Sequence, residues 1–315
     1  MAALAKRSWW SKLFIAVFAA VLGFCSPAVF PENSGLVVLY PDLPDYNAVF
    51  EAIADGVAKK NPGPIYRISL PANYTVSDLK QRLANQPVKG VVALGRRGLE
   101  AAQQVEWTGP VVVSAILWDP SLSAHQIPGI SLDPDPRRVL GSLRMLAPDI
   151  RRVFTIVNYE QNKWLLDRAR SAVAELGLTL TIKDAATLRT AAQAYRDVLQ
   201  NIDPTHDALW LPLDPNFDES TLRLILGTAW KKRLVVFSSG PDMAQRGALF
   251  SFYPDYKAIG YHVAELLQDA PLAEPGNRTI RPTSDIKLTV NLRTAQHIGL
   301  ELNNEVKAKI EVIFK

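Results

Sequence analysis

The chain reads as an α/β protein of two lobes, each a parallel sheet with helices on both faces. Three observations predict this. Short continuous apolar runs alternate with amphipathic helical stretches along most of the sequence. The alternation breaks at Asp133-Pro134-Asp135-Pro136 and then resumes as a second series. The apolar runs end in loops rich in polar, Pro or Gly residues, the place where open α/β sheets bind ligands.

Taken in order, Leu36–Tyr40 is a buried-strand run closed by Pro41-Asp42-Leu43-Pro44. A helical stripe follows over 46–59, carried by Val49, Phe50, Ile53 and Val57. Ile65–Leu70 is a second strand, and a helix from Val76 to about Asn85 has Thr75 or Ser77 as its cap. Gly90–Leu94 is a third strand, ending in Gly95-Arg96-Arg97-Gly98 before a helix over 99–104. Pro110–Ile116 is a fourth strand, ending at Leu117-Trp118-Asp119-Pro120, and Ile127–Leu132 a short fifth. After the Pro/Asp break a helix runs to about Leu146. The second series has strands at 152–157, 179–183, 208–213, 233–237 and 248–253. Helices are expected at about 164–176, 191–200, 222–230 and 256–267. No low-complexity segment or short repeat interrupts the pattern.

Composition fits such a fold. Of 315 residues, 48% are hydrophobic and 21% charged, enough for one large domain or two of middling size. The net charge of +4 owes much to Lys6, Arg7 and Lys12, and no basic block points to nucleic acid. Those basic residues flank an apolar run, Leu13–Phe24, followed by Cys25-Ser26-Pro27-Ala28. This describes a secretory signal peptide with cleavage expected after Ala28. The alternative is an uncleaved membrane anchor, although the run is short of the ~20 residues a span needs. Cys25 is the one cysteine, so no internal disulfide forms.

A specific resemblance lies in Asp207-Ala-Leu-Trp-Leu-Pro-Leu-Asp214, Leu234-Val-Val-Phe-Ser-Ser239 and Arg246-Gly-Ala-Leu249. It continues in Asp255-Tyr256, Ile259-Gly260-Tyr261, Val290-Asn-Leu-Arg-Thr-Ala295 and Ile298-Gly-Leu300. These segments resemble the ABC-transporter substrate-binding proteins of the tryptophan/tyrosine-binding type, within the type I periplasmic binding protein class. The similarity spans about Leu36 to Leu302. It implies two Rossmann-like lobes joined by a three-crossing hinge, a small-molecule ligand between them and an ABC permease in the inner membrane as partner. It also implies a periplasmic, usually monomeric protein that closes by hinge motion. The implied crossings are 133–136, Tyr253-Pro254-Asp255 and the region 286–292. The expected domains are a signal peptide at 1–28, a first lobe of 29–135 with 256–315, and a second lobe of 136–255.

Candidate ligand-binding residues come from the strand-end loops. Asp119 matches the family's Asp-Pro after the fourth strand; it contacts ligand or simply forms a turn. Trp118 beside it offers a flat wall or ordinary core. Asn158 matches a polar family position, with Tyr159 and Gln161 near it; Asp214 and Asn216 are similarly placed. Ser238 and Ser239 bind a carboxylate or cap the next helix, and Ser114, within the fourth strand, is also a candidate. Two loops depart from the family. Arg96 and Arg97, between Gly95 and Gly98, stand where relatives carry small residues. They read a more anionic ligand, face solvent or fill the cleft. Pro41 and Asp42 lie in an unusually stiff first loop.

An enzyme is not expected. His125, His206, His262 and His297 lack metal-ligand spacing, and no nucleophile elbow or Walker A loop is present. No catalytic residue, metal or cofactor is therefore assigned. Two readings remain: the receptor of an ABC importer, capturing an amino acid or other small carboxylate, or a sensor or partner-binding protein on the same fold.

Overall fold

A computed structural model describes residues 34–105, 107, 109–125, 127–213, 217–269 and 279–315. The expected signal peptide at 1–28 lies outside the described residues.

The first lobe is built on a six-stranded sheet of order β11-β5-β4-β3-β1-β2, with every pairing parallel. Its strands are β1 (Gly35–Pro41), β2 (Ile65–Leu70), β3 (Val88–Leu94), β4 (Val111–Ser114), β5 (Gly129–Pro134) and β11 (Ile280–Thr283). Side chains alternate across a strand. Leu36, Val38 and Tyr40 therefore enter one core, while Val37 and Leu39 enter the other. Helices α1 (Asn47–Lys60) and α9 (Tyr256–Asp269) cover the first face. Helices α2 (Val76–Leu83) and α3 (Gly95–Gln104) cover the second. Gly98 lets α3 settle on β1, since a Cβ there would meet the Leu39 carbonyl oxygen at 2.6 Å.

The second lobe has a seven-stranded sheet of order β13-β12-β10-β9-β8-β6-β7. Its strands are β6 (Arg152–Val157), β7 (Thr179–Asp184), β8 (Asp207–Leu211), β9 (Val235–Ser238), β10 (Phe250–Pro254), β12 (Ile286–Asn291) and β13 (Val312–Phe314). Ala208 and Trp210 point to one core, Leu209 and Leu211 to the other. Helices α4 (Pro136–Leu146) and α5 (Tyr159–Glu175) lie on the first face; α6 (Leu188–Asn201) and α7 (Glu219–Lys232) lie on the second. Side-chain caps start these helices at Asp135, Asn158, Thr187 and Asp218. The short helix α8 (Met243–Arg246) follows β9, and α10 (Leu292–His297) with α11 (Asn304–Lys307) completes the chain.

The chain crosses between lobes three times, at β5 to α4, β10 to α9 and β11 to β12. The last crossing corrects the expected domain boundary. Residues 286–315 do not return to the first lobe. β12 pairs antiparallel with β10, Val290 facing Phe250, and β13 then pairs with β12. Leu288, Val290 and Ala295 are buried in the second lobe's core, which fixes the segment there. The expected loop over 270–282 also ends in a strand, β11, on the edge of the first sheet.

Candidate functional site

Two chambers open where the carboxyl ends of the two sheets face each other. The larger, of about 550 Å3, takes its first-lobe wall from the ends of β1, β3 and β4 and from α1. Leu213, Ser239 and Pro241 form the opposite wall, with Pro254 and Tyr256 at the hinge. A second chamber of about 520 Å3 adjoins it, sharing Leu117 and Leu213.

The larger chamber is apolar for a surface feature. Leu43, Tyr46 and Leu117 line it and are 39%, 58% and 51% exposed. Large apolar side chains left in water around one cavity mark a surface meant to be covered. Among the described residues the charged groups on its wall are two arginines, Arg96 and Arg97. Both sit in the first turn of α3, directly after β3. Gly95 begins that helix at φ 69°, a left-handed conformation that favours glycine. It turns the chain so that the helix amino end faces the chamber. The free N–H groups of a first helical turn attract anions.

Arg96 pairs with Asp119, which lines the adjoining chamber. Burial pushes the Asp119 carboxyl up, but hydrogen bonds from Ser121 and Arg96 outweigh it and hold the group below the usual carboxylate range. Arg97 donates to the Leu70 carbonyl oxygen at 3.2 Å. The Arg96 guanidinium is 57% exposed and keeps donors open to water.

The adjoining chamber has a flat aromatic wall. Trp118 of the first lobe stacks on Trp164 of α5 in the second, with ring centroids 5.0 Å apart and planes 2° from parallel. Arg168 lies over the other side of the Trp164 ring at 4.4 Å. The Trp118 N–H donates to Asp133 at 2.8 Å. Burial raises the Asp133 carboxyl, against the Trp118 and Ser131 hydrogen bonds that lower it.

Of the residues singled out from sequence, Pro41, Gly95, Arg96, Arg97 and Ser239 meet in the larger chamber. Trp118, Asp119 and Gln161 meet in the adjoining one. Asp214 and Asn216 lie outside the described residues. Five candidates line neither chamber. Ser114 is fully buried and donates to the Ile130 carbonyl oxygen. Ser238 is buried, donating to Leu211 and accepting the Gly240 N–H. Asn158 caps α5 by accepting the Gln161 N–H at 3.2 Å. The segment after it is therefore helix from Tyr159 on, and Tyr159 reaches Arg170 and Asp184 rather than either chamber. Asp42 is also outside both walls; it is exposed and accepts from Asn47. Ser239 borders the larger chamber, but it too is buried, and its oxygen accepts the Trp210 indole N–H at 2.9 Å.

The sequence reading missed Tyr46, Leu117, Trp164 and Tyr256. Tyr256 and Tyr46 lie close, and burial followed by the Tyr46 charge raises the Tyr256 hydroxyl. For Tyr46 and Tyr256 the signal available was an aromatic residue at a helix start bordering a strand-end loop.

Among the described residues no helix is long and apolar enough to cross a membrane. The fold is similar to several solved structures, of which three each share 16% identity and align over 90% of this chain. The ligand-free, open structure of a substrate binding protein with adhesive properties from Clostridium difficile has a TM-score of 0.63 over 99% of its length. An ABC domain in complex with L-Trp from Streptococcus pneumonia has 0.54, and a conserved domain protein from Vibrio cholerae 0.53, each over its full length. No curated protein sequence matches the chain. The model of the family described as ABC transporter substrate binding protein matches residues 87–312, most of both lobes, and the chain belongs to that family.

Proposed function

We propose that this protein is the solute receptor of an ABC importer and that it captures a small apolar or aromatic carboxylate in the larger chamber. The observation that carries this reading is the wall itself: exposed Leu43, Tyr46 and Leu117 together with two arginines as its charged groups among the described residues. The apolar body of the ligand covers those three side chains, each worth up to ~1.5–3 kcal/mol if fully buried. Its carboxylate lies toward the first turn of α3, taking backbone N–H groups and a guanidinium edge of Arg96 or Arg97. Ser239 borders the chamber from the other lobe. L-Trp is the ligand named for the similar streptococcal domain, which agrees with an aromatic carboxylate but not with one compound.

Binding is followed by closure about the three crossings, docking on a membrane permease and release. The Trp118–Trp164 stack lies at the edge of the closing cleft and adds an interlobe contact. The basic and apolar N-terminus is the export signal of this reading, which places the protein in the periplasm. Aspartates and serines here act as hydrogen-bonding groups and not as catalysts.

Thermal unfolding against a panel of aromatic, branched-chain and polar carboxylates tests the proposal. A ligand bound by the folded state alone raises the midpoint by mass action, by ~2.7 kcal/mol of stability at a hundred times its Kd. A saturable rise confined to apolar or aromatic carboxylates is expected. No rise with any compound, from a folded sample, removes the importer-receptor reading and favours a protein partner.

A further inference from the structure

The hinge holds another cavity, of about 660 Å3, that shares no lining residue with either chamber of the cleft. Its wall draws on both lobes. Arg281 comes from β11 of the first, Arg168 from α5 of the second and Arg137 from the start of α4. Asp135, Asp285, His262, Ser171 and Ser284 are its other polar lining residues.

The two carboxylates are already occupied. Asp135 accepts the Arg137 backbone N–H at 2.9 Å as the cap of α4, and its other oxygen accepts from Ser284. Asp285 lies 2.7 Å from His262 Nδ1. The arginines are differently placed. Arg137 pairs with Glu175 at 2.8 Å on the open surface. Arg168 makes one hydrogen bond, to the Trp164 carbonyl oxygen, and rests on that residue's ring. Among the described residues neither Arg168 nor Arg281 forms an ion pair, although both line the cavity. Burial pulls the Arg168 guanidinium down, which agrees with a cation held partly out of water. The charges of Asp135 and Asp167 act on Arg168 from beyond ion-pair distance, and that of Glu265 acts on Arg281 in the same way, so an anion seated on the open guanidinium edges would make the close pairs that these carboxylates do not.

We propose that this hinge cavity binds a phosphate group, free or carried on a small molecule, between Arg168 of the second lobe and Arg281 of the first. The planar guanidinium forks match an oxyanion. Arg137 and the Ser284 hydroxyl are within the same wall. Glu175 pairs with Arg137 and Asp285 with His262, so among the described residues Arg168 and Arg281 are the wall's cations without an ion pair. The cavity exceeds what one phosphate fills, which leaves space for a carrier. The two arginines belong to different lobes, so a bound dianion favours the lobe arrangement in which they face each other. Its binding is therefore coupled to binding in the cleft, reciprocally.

The test is calorimetric titration and thermal unfolding of the full chain with inorganic phosphate and with glucose 6-phosphate, using sodium chloride at matched ionic strength as reference. Phosphate is expected to bind saturably and raise the midpoint where chloride does not. Arg168→Gln and Arg281→Gln are each expected to weaken it at least tenfold. Arg196→Gln, at an exposed arginine on α6 away from every cavity named above, leaves it unchanged. Tighter binding of the sugar phosphate assigns the site to a carried phosphate and weaker binding to free phosphate, and both outcomes support the site. The proposal is overturned if phosphate acts no differently from chloride, if its effect survives both hinge variants, or if Arg196→Gln abolishes it. Should one hinge variant fail to fold, the other together with Arg137→Gln decides.

Discussion

Gly56 and Gly260 hold α1 and α9 in direct backbone contact, and replacing Gly56 by Ala tests that packing. A Cβ at position 56 would lie 2.0 Å from the Lys257 carbonyl oxygen, and one at 260 would lie 2.0 Å from the Ile53 carbonyl oxygen. The two clashes are reciprocal, so this is the crossing point of the helices. Restoring ordinary contact moves the backbones apart by roughly 1.4 Å, and no rotamer change relieves it. Overpacking of this kind costs typically 1–3 kcal/mol, and a backbone clash belongs at the upper end, ~3 kcal/mol. Ala gains about 1 kcal/mol over Gly in a helix interior, leaving a net loss of ~2 kcal/mol. With a urea slope of ~3 kcal/mol/M the midpoint falls by about 0.7 M. Gly141, in α4, is the control: nothing lies within 4 Å of a Cβ there, so Gly141→Ala is expected to be neutral or stabilising. Urea unfolding followed by circular dichroism reads both. If Gly56→Ala is as stable as Gly141→Ala, the helices do not meet at these glycines, and the return of α9 to the first lobe is wrong.

Three further outcomes are expected. A double-mutant cycle on Trp118→Ala and Trp164→Ala, read by unfolding, should show a coupling of ~0.5–1.5 kcal/mol for the interlobe stack; zero coupling removes the contact from the account. Hydrogen bonds from the Thr221 backbone and side chain, then Ser220, hold the Asp218 carboxyl down at about 2, from an ordinary 3.8. Its stabilisation is complete above the ordinary value and is lost as pH falls through about 2. Asp218→Asn should therefore flatten that acid limb of a melting-temperature profile, and an unchanged limb contradicts the cap. Asp133 has the opposite sign, because burial raises it. Its charge disfavours the fold above its raised pKa, and the penalty fades as pH falls through that value. Asp133→Asn keeps an acceptor for the Trp118 N–H and should be at least as stable as the native chain at pH 7; a clear loss there shows that the charge itself is needed.

Much of the architecture was legible in the sequence because strands buried on both faces leave continuous apolar runs such as Leu36–Tyr40 and Leu234–Phe237. The fate of 286–315 was not, because strand direction and sheet membership depend on a distant partner. Nothing local in Ile286–Asn291 says that it pairs antiparallel with β10. Strand-end loops border the two chambers, but which of their side chains face them was not legible in the sequence. Ser238 and Ser239 are adjacent and chemically identical. One is consumed by Leu211 and Gly240, and the other borders the chamber and accepts the Trp210 indole N–H. Asn158 reads as a loop residue until the Gln161 N–H reveals a cap. Tyr46 and Leu117 were missed because an apolar residue near a helix or strand end reads as core; only its exposure distinguishes it.

The most direct measurement is calorimetric titration of aromatic and branched-chain carboxylates into the native protein and into Leu117→Lys, at several temperatures. At least one carboxylate should bind saturably with a negative heat-capacity change, the mark of apolar burial. Its affinity should fall at least tenfold in Leu117→Lys, which places a charge on the apolar wall shared by both chambers. Absence of saturable binding across the series, or binding that Leu117→Lys leaves intact, would contradict a ligand seat in the cleft.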